Sequence, residues 1–374
     1  MKSHNFRTSP VSLKRVILSG LFFGVLLSVS PLAHAAERYE FYNGVRQLGM
    51  GGAGVAVVND ETALLLNPAG LGKLRDYFVT VADPELEGSA NAATLAGTDL
   101  LNMFKPQPML NKLNQVANRD KRLHLKAQLF PSIVVPNFGF GVYGNYTADG
   151  RVDAAGTNYE LHYNNDYAAV FGFNFRLFDG IIKLGAVARA INRVQIDRID
   201  IPANSTGLTV DNLAQEGFGV AGDVGLILAA PIAWLPTIAA VWRDVGGTSY
   251  NLKEGMFTSA ITIPNHTPQT VDVAFALFPI ASKRTRVTFT GEYRDVLTTG
   301  DEDDQMRRVH AGIEMNVADA FFLRAGMNQR YWTAGLEFAM QNYQLQAATY
   351  GEEVGTATIT QEDRRYVFKF AFRF

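Results

Sequence analysis

Arg365-Tyr366-Val367-Phe368-Lys369-Phe370-Ala371-Phe372-Arg373-Phe374 stands at the end of the sequence, and its alternation decides the fold. In an extended strand successive side chains point to opposite faces. One face then carries Tyr366, Phe368, Phe370, Phe372 and Phe374; the other carries Arg365, Val367, Lys369, Ala371 and Arg373. Aromatics on one side and polar or small groups on the other is the lipid-out, lumen-in pattern of a membrane barrel.

The same alternation recurs upstream. Phe138, Phe140, Val142 and Tyr146 oppose Gly139, Gly141 and Asn145; Phe171, Phe173 and Phe175 oppose Gly172, Asn174 and Arg176. Val287, Phe289 and Tyr293 oppose Arg286, Thr288, Thr290, Glu292 and Arg294, and Trp332, Leu336, Phe338 and Met340 oppose Thr333 and Glu337. Laid out in full, the pattern predicts an all-β fold, a transmembrane antiparallel β-barrel of about fourteen strands. The strands start near Asp76, Arg122, Asn137, Asn165, Gly180, Glu216, Pro236, Gln269, Arg284, Met306, Ala320, Arg330, Asn342 and Arg364. Short turns such as Pro136-Asn137, Phe178-Asp179-Gly180 and Gln341-Asn342 alternate with longer polar segments such as Ala148 to Asn164 and Arg198 to Gln215. That alternation matches periplasmic turns and external loops, with one tight external hairpin at Asn328-Gln329.

Composition agrees. The 374 residues are 47% hydrophobic and 19% charged, rich in Gly (34), Phe (25) and Tyr (14), with no cysteine. Disulfides, thiolate metal sites and cysteine nucleophiles are excluded. Met1 to Ala35 reads as a cleaved signal peptide: basic Lys2, Arg7, Lys14 and Arg15, an apolar Val16 to Val29, then Ala33-His34-Ala35. Its removal takes four basic and no acidic residues from 34 against 36, leaving a net charge of −6 that argues against nucleic acid as a partner. No later apolar run is long enough for a membrane helix, so a membrane location requires a closed barrel.

Between the signal and the first strand lies a glycine-rich segment. Gly49-Met50-Gly51-Gly52-Ala53-Gly54 formally satisfies a dinucleotide fingerprint, but no strand precedes it and position 70 is Gly70, not an acid. A compact plug over residues 36–74 accounts for it better, with one or two helical turns over Asp60 to Leu66 stopped by Pro68. The stretch Gly49 to Leu71 resembles the N-terminus of the FadL/TodX family of outer-membrane transporters for long-chain fatty acids and other hydrophobic compounds. Gly49, Gly51, Gly52, Gly54 and Asp60 match its hatch pattern, and Asn67-Pro68-Ala69 matches the motif that leads into the first strand. PorV-like secretion components share this opening. The resemblance implies a fourteen-stranded barrel (residues 75–374) closed by an N-terminal hatch. It also implies passive uptake of hydrophobic molecules such as long-chain fatty acids, captured by external loops and gated by the plug. A barrel serving a protein partner is the alternative, and the apolar turn Pro231-Ile232-Ala233-Trp234-Leu235-Pro236 is where such a partner would dock. The terminal strand ending at Phe374 resembles the signal read by the barrel-assembly machinery.

The first external segment holds Leu100, Leu101 and Phe104 before Pro106 and Pro108, then Met109, Leu110, Leu113 and Val116 at helical spacing. This predicts a helical hairpin over the barrel mouth. Its apolar face is either a groove that captures a hydrophobic ligand or a face packed on the rim or among lipopolysaccharide chains. Arg176, Arg286 and Arg294 are expected in the lumen, meeting a carboxylate head or pairing with Glu292 and Glu337. His124, His162, His266 and His310 fall in no catalytic or metal-binding spacing, and no G-x-S-x-G elbow occurs, so no enzyme is expected. The acidic run Asp301, Glu302, Asp303 and Asp304 lacks the spacing of an EF-hand and reads as a solvated loop tip or as a binder of the divalent ions that bridge lipopolysaccharide. No metal or cofactor is expected.

Overall fold

A computed structural model describes residues 40–96, 99–252, 256–259, 261–297, 304–355 and 359–374. The signal peptide, the start of the plug and Asp301 to Asp303 lie outside the described residues. The sheet closes on itself as fourteen antiparallel staves. They are β1 (Phe78–Ala82 with Glu85–Ser89), β2 (Arg122–Leu129 with Ser132–Val135), β3 (Phe138–Val152), β4 (Asn158–Leu177), β5 (Ile182–Pro202), β6 (Gln215–Ala229), β7 (Thr237–Arg243), β8 (Thr270–Leu277 with Ile280–Ser282), β9 (Thr285–Tyr293), β10 (Val309–Val317), β11 (Phe321–Asn328), β12 (Tyr331–Ala339), β13 (Tyr343–Glu353) and β14 (Glu362–Arg373). Each pairs with the next, and β14 closes onto β1 through Lys369↔Glu85 to Arg365↔Ser89. The breaks in β1, β2 and β8 fall at Pro84, Pro131 and Pro279, which have no N–H to donate to the ladder.

The observed starts follow the expected ones except in β4, which begins at Asn158 rather than near Asn165. The segment Ala148 to Asn164, expected as an external loop, is mostly sheet: β3 runs to Val152 and β4 takes up again six residues later. β4 and β5 are 20 and 21 residues long, whereas β10 and β11 are 9 and 8. A membrane strand needs about 9–11 residues. One side of the barrel is therefore a tall wall that projects far beyond the bilayer, and the other side ends at it.

Exposure maps the lipid band. Along β4, Phe175, Phe173, Phe171 and Tyr167 are exposed, and then Asn165, Tyr163, Leu161 and Tyr159 on the same face are buried. The bare run spans about ten residues from the periplasmic end, one membrane thickness. Aromatics ring both borders: Tyr167, Trp242, Trp332 and Tyr366 outside, and Phe138, Phe175, Trp234, Phe338, Tyr343 and Phe374 at the periplasmic end, all exposed. The polar inner face and closed ladder satisfy every requirement of a membrane barrel.

Candidate functional site

Residues 40–74 occupy the lumen. A short helix, α1 (Val45–Gly49), leads into the glycine run, and α2 (Ala63–Leu66) is followed by a 3-10 turn over Pro68–Lys73. Asn67 caps that turn by accepting from the Ala69 N–H at 3.0 Å, while its amide donates to the Val55 carbonyl at 3.0 Å. Pro68 sits in the first turn, where its missing N–H costs nothing. Asn67-Pro68-Ala69 is thus a turn that folds the segment back on itself, and Ala69 is fixed to the wall by Asn174.

The glycines are needed because backbone meets backbone. Gly51 has φ +69, and a Cβ there would strike the Ala311 carbonyl of β10; from the wall side, a Cβ on Gly312 would strike Met50. A residue without a side chain is required on both partners. Thr333 on β12 accepts from Gly51 N–H and donates to the Gly49 carbonyl, both at 3.0 Å. Glu292 accepts from the N–H groups of Gly54 and Val55, both at 2.9 Å. The fingerprint-like glycines cradle no phosphate here; they lie flat against the wall.

The remaining contacts divide by side. Toward β2–β6 the interface is apolar: Leu64, Leu65, Leu66 and Leu71 pack with Phe130, Val134, Val170, Val187 and Ile191. Toward β9–β14 one apolar cluster sets Val45 and Leu48 against Ala348, Tyr350 and Val367, and the other contacts are largely ionic. Arg46 donates to both Glu314 oxygens at 3.0 and 2.9 Å and reaches Asp60 at 3.2 Å; Glu314 also accepts from Arg324 at 2.7 Å. Arg294 joins Glu40, Glu292 and the Gly52 carbonyl, and Arg373 lies 3.5 Å from Glu61. At the periplasmic end Lys73 donates to the Ala56 carbonyl at 2.6 Å beneath the Phe278 ring. Burial, together with Arg46 and Lys183, pushes this ammonium down to about 7.

Above this segment lies a cavity of about 240 Å³. Its walls are mixed: the charged groups Glu87, Arg122, His124, Asp149, Arg365, Arg294 and Glu352 line it together with His310, Leu48, Ile196 and Tyr350. His124 sits between Glu87 at 3.2 Å and Asp149 at 3.3 Å, and Asp149 accepts from Arg122 at 2.9 Å. His124 and His310 thus belong to the lumen lining. They escaped the sequence reading because strands far apart in the chain bring them together.

Two expectations need correction. Of the three arginines placed in the lumen, only Arg294 is there, paired with Glu292 as one reading held; Glu337 pairs with Arg324 instead. Arg176 and Arg286 sit exposed at the periplasmic rim, Arg176 donating to Asn137 and to the Leu74 carbonyl of the lumen segment, and Arg286 3.8 Å from Asp319. Alternation at a strand's end does not distinguish lumen from rim.

The second concerns the first external segment. It is helical, with α3 (Ala90–Ala96), a turn over Leu100–Phe104 and α4 (Pro106–Leu113), but it does not cross the mouth. Met109, Leu110 and Leu113 are fully buried against Leu123, Leu125, Tyr159, Leu161, Val194 and Ile196. In the strand alternation those wall residues share the face of Leu129, Phe171 and Leu184, so the hairpin lies on the outer face of the tall wall. The proposed capture residues are consequently divided: Met109, Leu110 and Leu113 are core, Phe104 is partly covered, and Leu100, Leu101 and Val116 are exposed.

A closed fourteen-stave barrel with aromatic girdles, residues 40–74 packed in its lumen, defines an outer-membrane barrel, and solved structures share this fold. The "TodX monoaromatic hydrocarbon channel deltaS2 mutant" is 13% identical with a TM-score of 0.56, covering 89% of this chain and 99% of that one. The Pseudomonas putida toluene transporter TodX is 12% identical at 0.54, covering 90% and 98%, and the CymD monoaromatic hydrocarbon channel is 11% identical at 0.50, covering 88% and 96%. No protein-family model matches the sequence, and no curated protein matches it.

Proposed function

We propose that the protein is a passive outer-membrane channel for hydrophobic molecules, with residues 40–74 as its gate. The observation that carries this reading is the apolar seam between Leu64, Leu65, Leu66, Leu71 and the β2–β6 wall. A hydrocarbon sliding into such a seam replaces one apolar contact by another and uncovers no buried charge. The ionic side, β9–β14, then acts as the hinge side that keeps the gate attached. The resemblance of Gly49 to Leu71 and the hydrocarbon channels with this fold support the same substrate class, from aromatic hydrocarbons to long-chain fatty acids. Leu100 and Val116 remain available for capture.

Uptake into intact cells tests it. Cells making the full chain should accumulate a labelled aromatic hydrocarbon, or a labelled long-chain fatty acid, faster than cells without it. Leu64→Cys and Val134→Cys lie in one buried cluster across the apolar seam. Joining them with a short cleavable crosslinker should abolish the difference, and cleavage should restore it. Equal accumulation with and without the protein would remove the channel reading. It would favour a sealed barrel serving a protein partner, to which the ionic pins, the charged groups of the cavity and the exposed Ile232 and Trp234 of the 231–236 turn also point.

A further inference from the structure

Two external segments meet the outer face of the tall wall at one height. Phe104 of the first loop lies edge-on to Tyr146 at 5.3 Å, and Phe257 of the loop between β7 and β8 stacks on Tyr167 at 4.5 Å. Tyr146 pairs with Asn165, and Tyr167 with Gly144, so the two tyrosines are diagonal neighbours on β3 and β4. Both belong to the outward face, since Phe138, Phe140 and Val142 precede Tyr146 on one strand, and Tyr167 precedes Phe171 and Phe173 on the other. Both also mark the top of the bare lipid band: outward residues below them are exposed, whereas Ala148 and Tyr163, just above, are buried under the loops.

The loops are held firmly at this level. Met109, Leu110 and Leu113 bury the first against the wall. The second is fixed by Glu216, an outward residue of β6 whose carboxylate accepts from the backbone N–H groups of Met256, Phe257 and Thr258 at 2.9, 3.1 and 2.8 Å. Yet both keep large apolar side chains uncovered beside their anchors. Leu101 is 81% exposed, Met256 70%, Ile261 85% and Phe257 53%. Side chains of this kind, one membrane thickness from the periplasmic border and continuous with the lipid-facing surface, stand at the border between hydrocarbon and headgroups.

We propose that Leu101, Phe104, Met256, Phe257 and Ile261 form a shelf that inserts into the outer leaflet and rests on the acyl chains of its lipids, anchoring the tall side of the barrel. The partner is lipid hydrocarbon, because the shelf continues an apolar band whose partner is already lipid. A helix or loop with an apolar face lying in the interface plane gains binding from each buried methylene. The inference does not depend on transport: a sealed barrel would carry the same shelf.

The absence of cysteine makes the test direct. Single variants Leu101→Cys and Met256→Cys, with Val142→Cys in the lipid band and Ala155→Cys at the tip of the β3–β4 hairpin, are labelled with an environment-sensitive fluorophore. The full chain is then placed in phosphatidylcholine vesicles carrying a nitroxide near the headgroup end of one acyl chain. All four positions lie on the surface, and heat-modifiable migration verifies folding of each. Labels at 101 and 256 should emit to the blue of that at 155. They should also be quenched by the lipid nitroxide several-fold more than 155, as 142 is, and be shielded from aqueous iodide. Iodide quenching at 101 and 256 equal to that at 155, without lipid quenching, would overturn the shelf and leave those residues facing a dissolved ligand or protein. Lipid quenching at only one of the two would overturn the joint shelf.

Discussion

Arg46 and Glu314, 268 residues apart, share two parallel hydrogen bonds of 2.9 and 3.0 Å that fasten the lumen helix α1 to stave β10. The pair is bidentate, the strong geometry for guanidinium and carboxylate. Glu314 also serves Arg324, so its loss leaves two buried cations short of a partner, whereas loss of Arg46 leaves Glu314 still paired. Glu314→Ala should therefore loosen the lumen segment more than Arg46→Ala, by about 3 kcal/mol against a smaller cost for the arginine. Hydrogen exchange at the Val57 and Val58 amides, which bond to the Gly54 carbonyl, reads the loosening directly. Equal effects of the two changes would show that the network, not this pair, carries the attachment.

The glycine contact makes a sharper demand. Gly312 faces the Met50 backbone with no room for a methyl group. Gly312→Ala should push residues 50–52 off the wall and cost about 1–3 kcal/mol, the range for overpacking. A methyl group added at Gly291 of β9 would meet only the His310 carbonyl, at 4.0 Å, so Gly291→Ala should be near neutral. Thermal unfolding followed by gel mobility separates the two. A neutral Gly312→Ala would mean that the lumen segment yields easily there.

What could be read from the sequence follows from what the lipid imposes. Every stave crossing hydrocarbon must alternate, and the outer aromatics of β4, β9, β12 and β14 declared themselves in that way. Above the bilayer the constraint reverses. Tyr159, Leu161 and Tyr163 still alternate with Glu160 and His162, but the apolar face now meets a helical hairpin and the polar face meets the open mouth. The mixture of polar and apolar residues there reads as loop, which conceals the upper part of the tall wall. The lumen site was legible only in part. Asn67-Pro68-Ala69 and the glycines announced a compact segment, but Glu314, Thr333 and Glu292, which hold it, carry no local signal because their partners lie more than 200 residues away.

The first external loop offers a discrimination that spacing alone did not. Leu110 is fully buried, whereas Val116 is 81% exposed. Leu110→Asp places a charge in the core of the hairpin and should release residues 90–118 to protease, with or without ligand. Val116→Asp should leave the protease pattern unchanged. Lowered uptake by Val116→Asp in a normally folded protein would assign capture to the exposed end of the hairpin; lowered uptake by Leu110→Asp alone would report only the lost hairpin.

Lys73 gives the attachment a pH dependence whose sign can be worked out. Its ammonium is pushed from 10.5 to about 7 by burial, then by Arg46 and Lys183. A lysine released to water keeps the ordinary value. Below pH 7 the seated and released forms are both protonated, and the seated form bears the full cost of a buried charge. Between pH 7 and 10.5 the released form binds more protons than the seated one, so seating strengthens as pH rises across that window and levels off above it. Lys73→Met retains the stem beneath Phe278 and removes the charge. It should strengthen seating at pH 6 and flatten the rise between pH 7 and 10.5, read as exchange protection of the Val57 and Val58 amides after correction for intrinsic rate. A rise in the variant as steep as in the parent would place the titrating group elsewhere.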